Sequence, residues 1–270
     1  MRIGVVAPSS AIHPEVAERV TALAAAGYPD VEIVFHPQCF LAHNHFAGTD
    51  AQRADAFVAV ANDPGFDALW FARGGYGSCR VADAVLPRLD AAARAKTYLG
   101  YSDAGFLLAG LHAMGFPSLA HGPMPADIRR ADGESAVRRA IAWLVERAPD
   151  SLEGGLAPDA KAAAFNMMVF SQLLATPLQP DLDGHVLLLE EVSEYMYRID
   201  RSMFHITSNP GVRRVAGIRL GRCNPVPPND PPFGDDEETV TRLWCARAGI
   251  AYLGRADIGH DVDNKVVPFG

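Results

Sequence analysis

Short apolar runs alternate with segments of helical period through the first half of the chain, and this alternation narrows the possible folds more than any other feature. Ile3-Gly4-Val5-Val6-Ala7 is stopped by Pro8-Ser9-Ser10, the pattern of a buried strand running into a turn. Residues 14–26 then set Val16, Val20, Leu23 and Ala24 at helical spacing, and Gly27 closes the segment. Further strands are expected at 31–35, 66–72 and 97–100, and helices at 50–62, 81–86 and 104–114. Strands separated by helices pair in parallel, because each crossover carries the chain back to the starting edge. Ligands of such sheets sit in the loops at the carboxyl ends of the strands. The loops after Ala7, Ala72 and Gly100 are therefore the ones to search.

The texture changes at Arg147-Ala148-Pro149-Asp150-Ser151-Leu152-Glu153-Gly154-Gly155, a Pro, Asp, Ser and Gly cluster that reads as a linker. Beyond it, strands are expected at 185–190 and 215–220 and helices at 200–207 and 237–248, with a proline-rich loop over 225–232. The expected organisation is α/β throughout: a first domain over 1–148, a linker over 149–156, and a smaller second domain over 157–270. The 32 acidic residues outnumber the 24 basic ones and no basic block occurs, which argues against a nucleic-acid or anionic-membrane partner. Cys39, Cys79, Cys223 and Cys245 form no C-x-x-C pair, so neither a zinc ribbon nor a disulfide framework is expected. His43-Asn44-His45 is only a weak metal pattern, and no metal or cofactor is expected. The opening apolar run is too short for a signal-peptide core, and no run approaches the roughly 18 residues of a membrane span. A cytoplasmic protein without a membrane partner is the expectation.

Three loops carry residues suited to chemistry. Gly100-Tyr101-Ser102-Asp103 lies where a strand gives way to a helix. A serine there holds its hydroxyl at the sheet end, with the next backbone N–H free to face an oxyanion; the same residues also suit a helix cap. Arg73-Gly74-Gly75-Tyr76-Gly77-Ser78 follows the third strand. Its glycines suit an anion loop, a second oxyanion donor or a tight turn, but the Walker lysine and the dinucleotide fingerprint are missing. Glu190, Glu191 and Glu194 cluster after an apolar strand, and His260 lies in a loop near the end of the chain. Serine, acid and histidine in that order are the minimum for acyl transfer.

With these segments in place, the chain resembles the LD-carboxypeptidase family of serine peptidases, which includes the microcin C self-immunity peptidases. The resemblance runs nearly end to end. It rests on Val5-Val6-Ala7-Pro8-Ser9-Ser10, the glycine loop at 73–78, the turn at 100–103, and His121-Gly122-Pro123-Met124. It continues through Leu189-Glu190-Glu191-Val192 with Tyr197-Arg198-Ile199-Asp200-Arg201, and through Gly259-His260 with Asn264 and Pro268-Phe269-Gly270. Two departures stand out. Ala164-Phe165-Asn166 occupies the place of a frequent Gly-Gly-Asn, and the chain ends at Gly270, short of the closing strand expected.

The resemblance implies an N-terminal Rossmann-like parallel-sheet domain and a smaller, β-rich α/β domain, with the active site between them. It implies Ser102 as nucleophile, His260 as base and Glu190 as orienting acid. The backbone N–H of Asp103 and one from Gly74 or Gly75 would form the oxyanion hole. Arg73, Tyr76 and Met124 are expected to meet substrate, and Arg73, Arg198 and Arg201 are candidates either for the substrate carboxylate or for structural ion pairs, the structural role being favoured. The implied reaction is hydrolysis between the L-centre of meso-diaminopimelate or L-lysine and the terminal D-Ala of a murein tetrapeptide, in peptidoglycan recycling, by a homodimer. The alternatives are a peptidyl- or aminoacyl-nucleotide hydrolase of the microcin C type and a non-catalytic small-molecule binder.

Overall fold

The computed structural model describes residues 1–157 and 159–270 and contains two sheets with helices between and around them. The first sheet is built from β1 (Arg2–Val6), β2 (Glu32–Phe35), β3 (Ala68–Phe71), β4 (Thr97–Gly100) and β5 (Leu119–His121). These five are parallel, and a short antiparallel strand from the end of the chain, β10 (Val267–Pro268), completes the order β10-β5-β4-β3-β1-β2. The crossovers carry α1 (Pro14–Gly27), α2 (Asp50–Asn62), α3 (Ser78–Val85), α4 (Ala91–Arg94) and α5 (Gly105–Ala113), and α6 (Gly133–Glu146) follows β5. The second sheet is all parallel in the order β6-β7-β8-β9: Ala162–Asn166, Val186–Glu191, Gly217–Cys223 and Tyr252–Arg255. Its helices are α7 (Met167–Leu173), α8 (Met196–Ser208) and α9 (Glu237–Ala248).

The period-two alternation of the strands explains the layering. Ile3 and Val5 on β1, and Ala68 and Trp70 on β3, face one side of the first sheet, where Val16 and Val20 of α1 and Val137 and Ile141 of α6 cover them. Val6, Leu69, Phe71 and Tyr98 face the other side, against Phe57 of α2, Val81 of α3 and Leu107 of α5. That second core runs on without a break into Phe165, Leu187 and Leu189 of the second sheet. The helix expected at 200–207 begins earlier, at Met196, and the one expected at 81–86 begins at Ser78.

The segment joining the two sheets is anchored at several points. Glu153 N–H donates to the Val266 carbonyl (3.0 Å), and the buried Glu153 carboxylate pairs with Arg219 of β8 (2.6 Å) and accepts from Asp257 N–H (3.2 Å). After β9 the chain crosses back to the first sheet, where Val267 pairs with His121. His260 lies on this return path, over the carboxyl end of the first sheet. Among the described residues, no helix is long and apolar enough to cross a membrane, and no group of three or more His, Cys, Asp or Glu side chains is placed to hold a metal ion. The four cysteines are unpaired.

Candidate active site

Strand β4 ends at Gly100, and two residues later Ser102 takes a left-handed backbone conformation, φ +60°. A non-glycine residue in that region costs about 1–3 kcal/mol and persists only where its surroundings over-determine it. The strain turns the side chain out of the strand path at the start of the short turn Ser102–Ala104, which leads into α5. The glycine loop lies directly alongside. A Cβ on Gly74 would stand 2.8 Å from Ser102 Oγ and 3.5 Å from Asp103 N, so only glycine lets this backbone approach so closely. Gly75, at φ +112°, is instead wedged against Ser10. Asp103 is buried, and its carboxylate accepts from Ser9 Oγ and from Ser78 N–H (2.8 Å).

The acid and the histidine come from the second sheet and the returning segment. Glu190 lies at the carboxyl end of β7, beside Asn166 of β6, where the β7–β8 register shifts between Leu189 and Glu191. Its side chain is fully buried, and Oε2 lies 2.5 Å from His260 Nδ1. With Nδ1 engaged, Nε2 is the ring nitrogen left for a second partner. Burial disfavours the charged imidazole, but the Glu190 carboxylate and its hydrogen bond outweigh it and raise the pKa of His260. The His260 ring packs against Tyr101 with centroids 4.8 Å apart. Tyr101 is itself fixed by donating to Asp127 (2.8 Å), which also binds Arg130 (3.0 Å). Neighbouring His121 is fully buried, and desolvation pushes it down to about 4, so it is neutral there.

Ser102 and His260 line one cavity of about 290 Å³, together with Arg73, Gly74, Gly75, Tyr101, Met124, Asp127, Arg129 and Arg130. Arg130 is paired with Asp127, whereas among the described residues Arg73 donates only to the Ala11 carbonyl (3.2 Å). Burial and the charge of nearby Arg129 lower the pKa of Arg73, as two cations crowded together require. A second cavity of about 350 Å³ meets the first at Gly75 and Ser102. Its walls include Tyr76, Phe106, Met168 and Val169, and its ionisable groups are all acidic: Asp103, Glu191 and Glu194. Glu191 accepts from Asn166 Nδ2 (2.7 Å) and Met168 N–H (2.8 Å). Burial and the adjacent Glu190 charge push its carboxyl up to about 7.

The structure therefore brings Ser102, His260, Glu190, Asp103, Gly74, Gly75, Arg73 and Met124 to one place, with Tyr76 on the second cavity. It keeps Arg198 and Arg201 away from the serine's cavity. Arg198 pairs with Glu194, Arg201 lies over the Tyr197 ring, and both line a separate depression with Ser171 and His205. The sequence reading missed Arg129, Arg130 and Asp127, which the turn after β5 delivers to the cavity. An adjacent arginine pair in an acidic chain, just past the segment at 121–124, was the available signal.

Residues 3–122 match the LD-carboxypeptidase N-terminal domain, and residues 161–270 match the LD-carboxypeptidase C-terminal domain. The whole chain is 33% identical to a Streptomyces coelicolor protein, covering 88% of it, that carries a provisional carboxypeptidase name. It is 26% identical to the murein tetrapeptide carboxypeptidase of Pseudomonas aeruginosa, covering 100% of this chain and 91% of that protein. The fold is that of the muramoyltetrapeptide carboxypeptidase from Oxalobacter formigenes (TM-score 0.81, 18% identity, 100% and 93% of the two chains). The microcin C7 self-immunity protein shares it almost as closely (TM-score 0.80, 17% identity, 100% and 91%). With both domain models matched and a relative 33% identical over the whole of this chain, the chain belongs to the LD-carboxypeptidase family of peptidases.

Proposed function

We propose that the chain is a serine carboxypeptidase that removes the terminal D-Ala from murein tetrapeptide, cutting the amide that joins it to the L-centre of meso-diaminopimelate or L-lysine. The observation that carries this reading is a serine on a strained strand-to-helix turn, sharing a cavity with a histidine whose other ring nitrogen is bound by a buried carboxylate. His260 Nε2 takes the proton as Ser102 Oγ attacks the carbonyl. The oxyanion is received by Asp103 N–H and a backbone N–H of the Gly74–Gly75 segment, each donor being worth about 3–4 kcal/mol. His260 then gives its proton to the departing amine of D-Ala. A water, deprotonated by the same imidazole, releases the acyl group from Ser102.

The charges around the serine support the substrate. Arg73 and Arg129 suit the free carboxylate of the leaving D-amino acid. The second cavity, which adjoins the first at Gly75 and Ser102 and carries the Glu191 and Glu194 carboxyl groups, would accommodate an acyl-side residue bearing a free amine. Such a reaction belongs to peptidoglycan recycling. Incubation with murein tetrapeptide is expected to release D-Ala, and Ser102→Ala to abolish that release. No release by the wild type would remove the proposal. Cleavage of an aminoacyl sulfamoyl nucleoside in its place would move the protein to the microcin-type activity.

A further inference from the structure

We propose that two buried side chains of opposite charge, Arg53 and Asp103, form a clamp that sets the spacing of the oxyanion hole, and that both are positioning residues for the reaction. The proposal rests on the serine-peptidase reading above and extends it to groups that the reaction itself does not use.

The two donors of the hole sit on different loops, the glycine loop after β3 and the turn after β4. Such donors act only when both lie within about 2.7–3.1 Å of the developing oxyanion, so the loops must be held to within a few tenths of an ångström. Glycine supplies no side chain to do this. The holding comes from two residues that grip the glycine loop and the turn after β1 at consecutive positions, one of them, Asp103, lying on the turn after β4 itself. Arg53 of α2 is fully buried, and its Nη1 donates to the carbonyls of Pro8 and Gly77 (2.8 Å to the latter). Asp103 takes the donors of the very next residues, Ser9 Oγ and Ser78 N–H, both on Oδ2. Ser78 Oγ returns a bond to the Asp103 carbonyl.

The buried Asp103 side chain is satisfied by hydrogen bonds alone. Among the described residues Asp103 has no ion-pair partner. Ser78 opens α3, and Gly77 before it, at φ +132°, has no side chain with which to cap the helix. The Asp103 carboxylate supplies that cap from another element, taking an N–H at the positive end of the helix. Its bonds to Ser9 and Ser78 thus tie the glycine loop and the opening turn to the residue whose own N–H is one of the two oxyanion donors.

The clamp is tested with full-length variants, murein tetrapeptide, a peptide boronate that forms a tetrahedral adduct on serine, and the tripeptide product as a ground-state ligand. Asp103→Ala is expected to lower kcat by about 10²-fold, the scale of one lost oxyanion donor. KM and product affinity stay within a few-fold, and boronate affinity falls in step with kcat. Asp103→Asn retains most of the activity, because its amide oxygen accepts both donors. Arg53→Met, which removes the donors to the Pro8 and Gly77 carbonyls, shows the same split between kcat and KM. Should Asp103→Ala fail to fold, Ser9→Ala removes one donor and reads the same ratio on a smaller scale.

Unchanged kcat in Asp103→Ala and Arg53→Met overturns the proposal. So do equal losses of boronate and product affinity, which mark a general structural role, and an Asn variant as impaired as Ala. A wild type that neither cleaves tetrapeptide nor binds the boronate removes the serine-peptidase reading, and the clamp's role falls with it.

Discussion

At the scale of the residue, His260 shows how a fold sets a proton affinity. Burial alone would keep its imidazole neutral, yet the fully buried Glu190 carboxylate beside Nδ1 pulls the pKa above the ordinary 6.5. A base must be neutral to accept a proton, so kcat/KM is expected to rise with pH through a midpoint above that value. Glu190→Gln keeps the shape and removes the charge. It should move the midpoint down and lower kcat by roughly 10²–10⁴-fold, the usual contribution of general acid–base catalysis. A pH–rate profile of both proteins checks the direction, and a midpoint that stays in place separates Glu190 from the titrating group. Arg73 and Arg129 make a second residue-scale case, because both face the serine's cavity. Arg73→Ala and Arg129→Ala should raise KM for tetrapeptide about tenfold or more, each charged hydrogen bond being worth about 1.5–3 kcal/mol. A substrate amidated at its C-terminus should be poor with the wild type and lose little further with the variants.

Among the elements, the strand ends do the positioning. Ser102 follows β4, the glycine loop follows β3, and Glu190 is the penultimate residue of β7, all at carboxyl ends, as parallel sheets require of a site. His260 is the exception, since it rides on an irregular segment. That segment is held by Arg222, which is bidentate to Asp261 and also bonded to Asp257, and by Arg139 of α6, which donates to the carbonyls of Val262 (2.8 Å) and Asn264 (3.0 Å). Arg139→Ala is expected to cost about 1–3 kcal/mol, because hydrogen bonds from a charged donor to two carbonyls are lost. Thermal unfolding reads the stability, and faster amide exchange confined to 257–266 reads the loosened segment.

Legibility at this scale followed burial and length. β1 and β3 stood out as apolar runs because both of their faces are covered. β5 has only three residues and ends in a histidine, and β6 reads Ala-Ala-Ala-Phe-Asn, a run with little strand propensity of its own. Packing between neighbours makes these two segments strands, and local pattern has no access to that.

For the molecule as a whole, one core runs under both sheets, and the joining segment is part of the structure. The segment at 147–155 carries the signature of a linker, yet Glu153 within it is buried in a pair with Arg219 and also accepts from Asp257 N–H. Glu153→Ala leaves the guanidinium buried and unpaired, and about 3 kcal/mol or more of stability should be lost. Denaturant titration measures this, with Glu146→Ala at the exposed end of α6 as the control expected to change little.

The sequence by itself determined the α/β alternation, the loops that would bear chemistry, and the family, because periodicity, turn residues and ordered motifs are local properties of the chain. It also named Ser102, Glu190 and His260 as members of one candidate site, through resemblance rather than spacing. Only the tertiary structure decided that Arg129 faces the serine while Arg198 and Arg201 do not, that Gly74 rather than Gly75 abuts Ser102, and that Arg53 and Asp103 grip the same two loops. Those are distances between residues far apart in the chain. They are set by how the sheets pack and by where the chain returns, and no local pattern of residues encodes them.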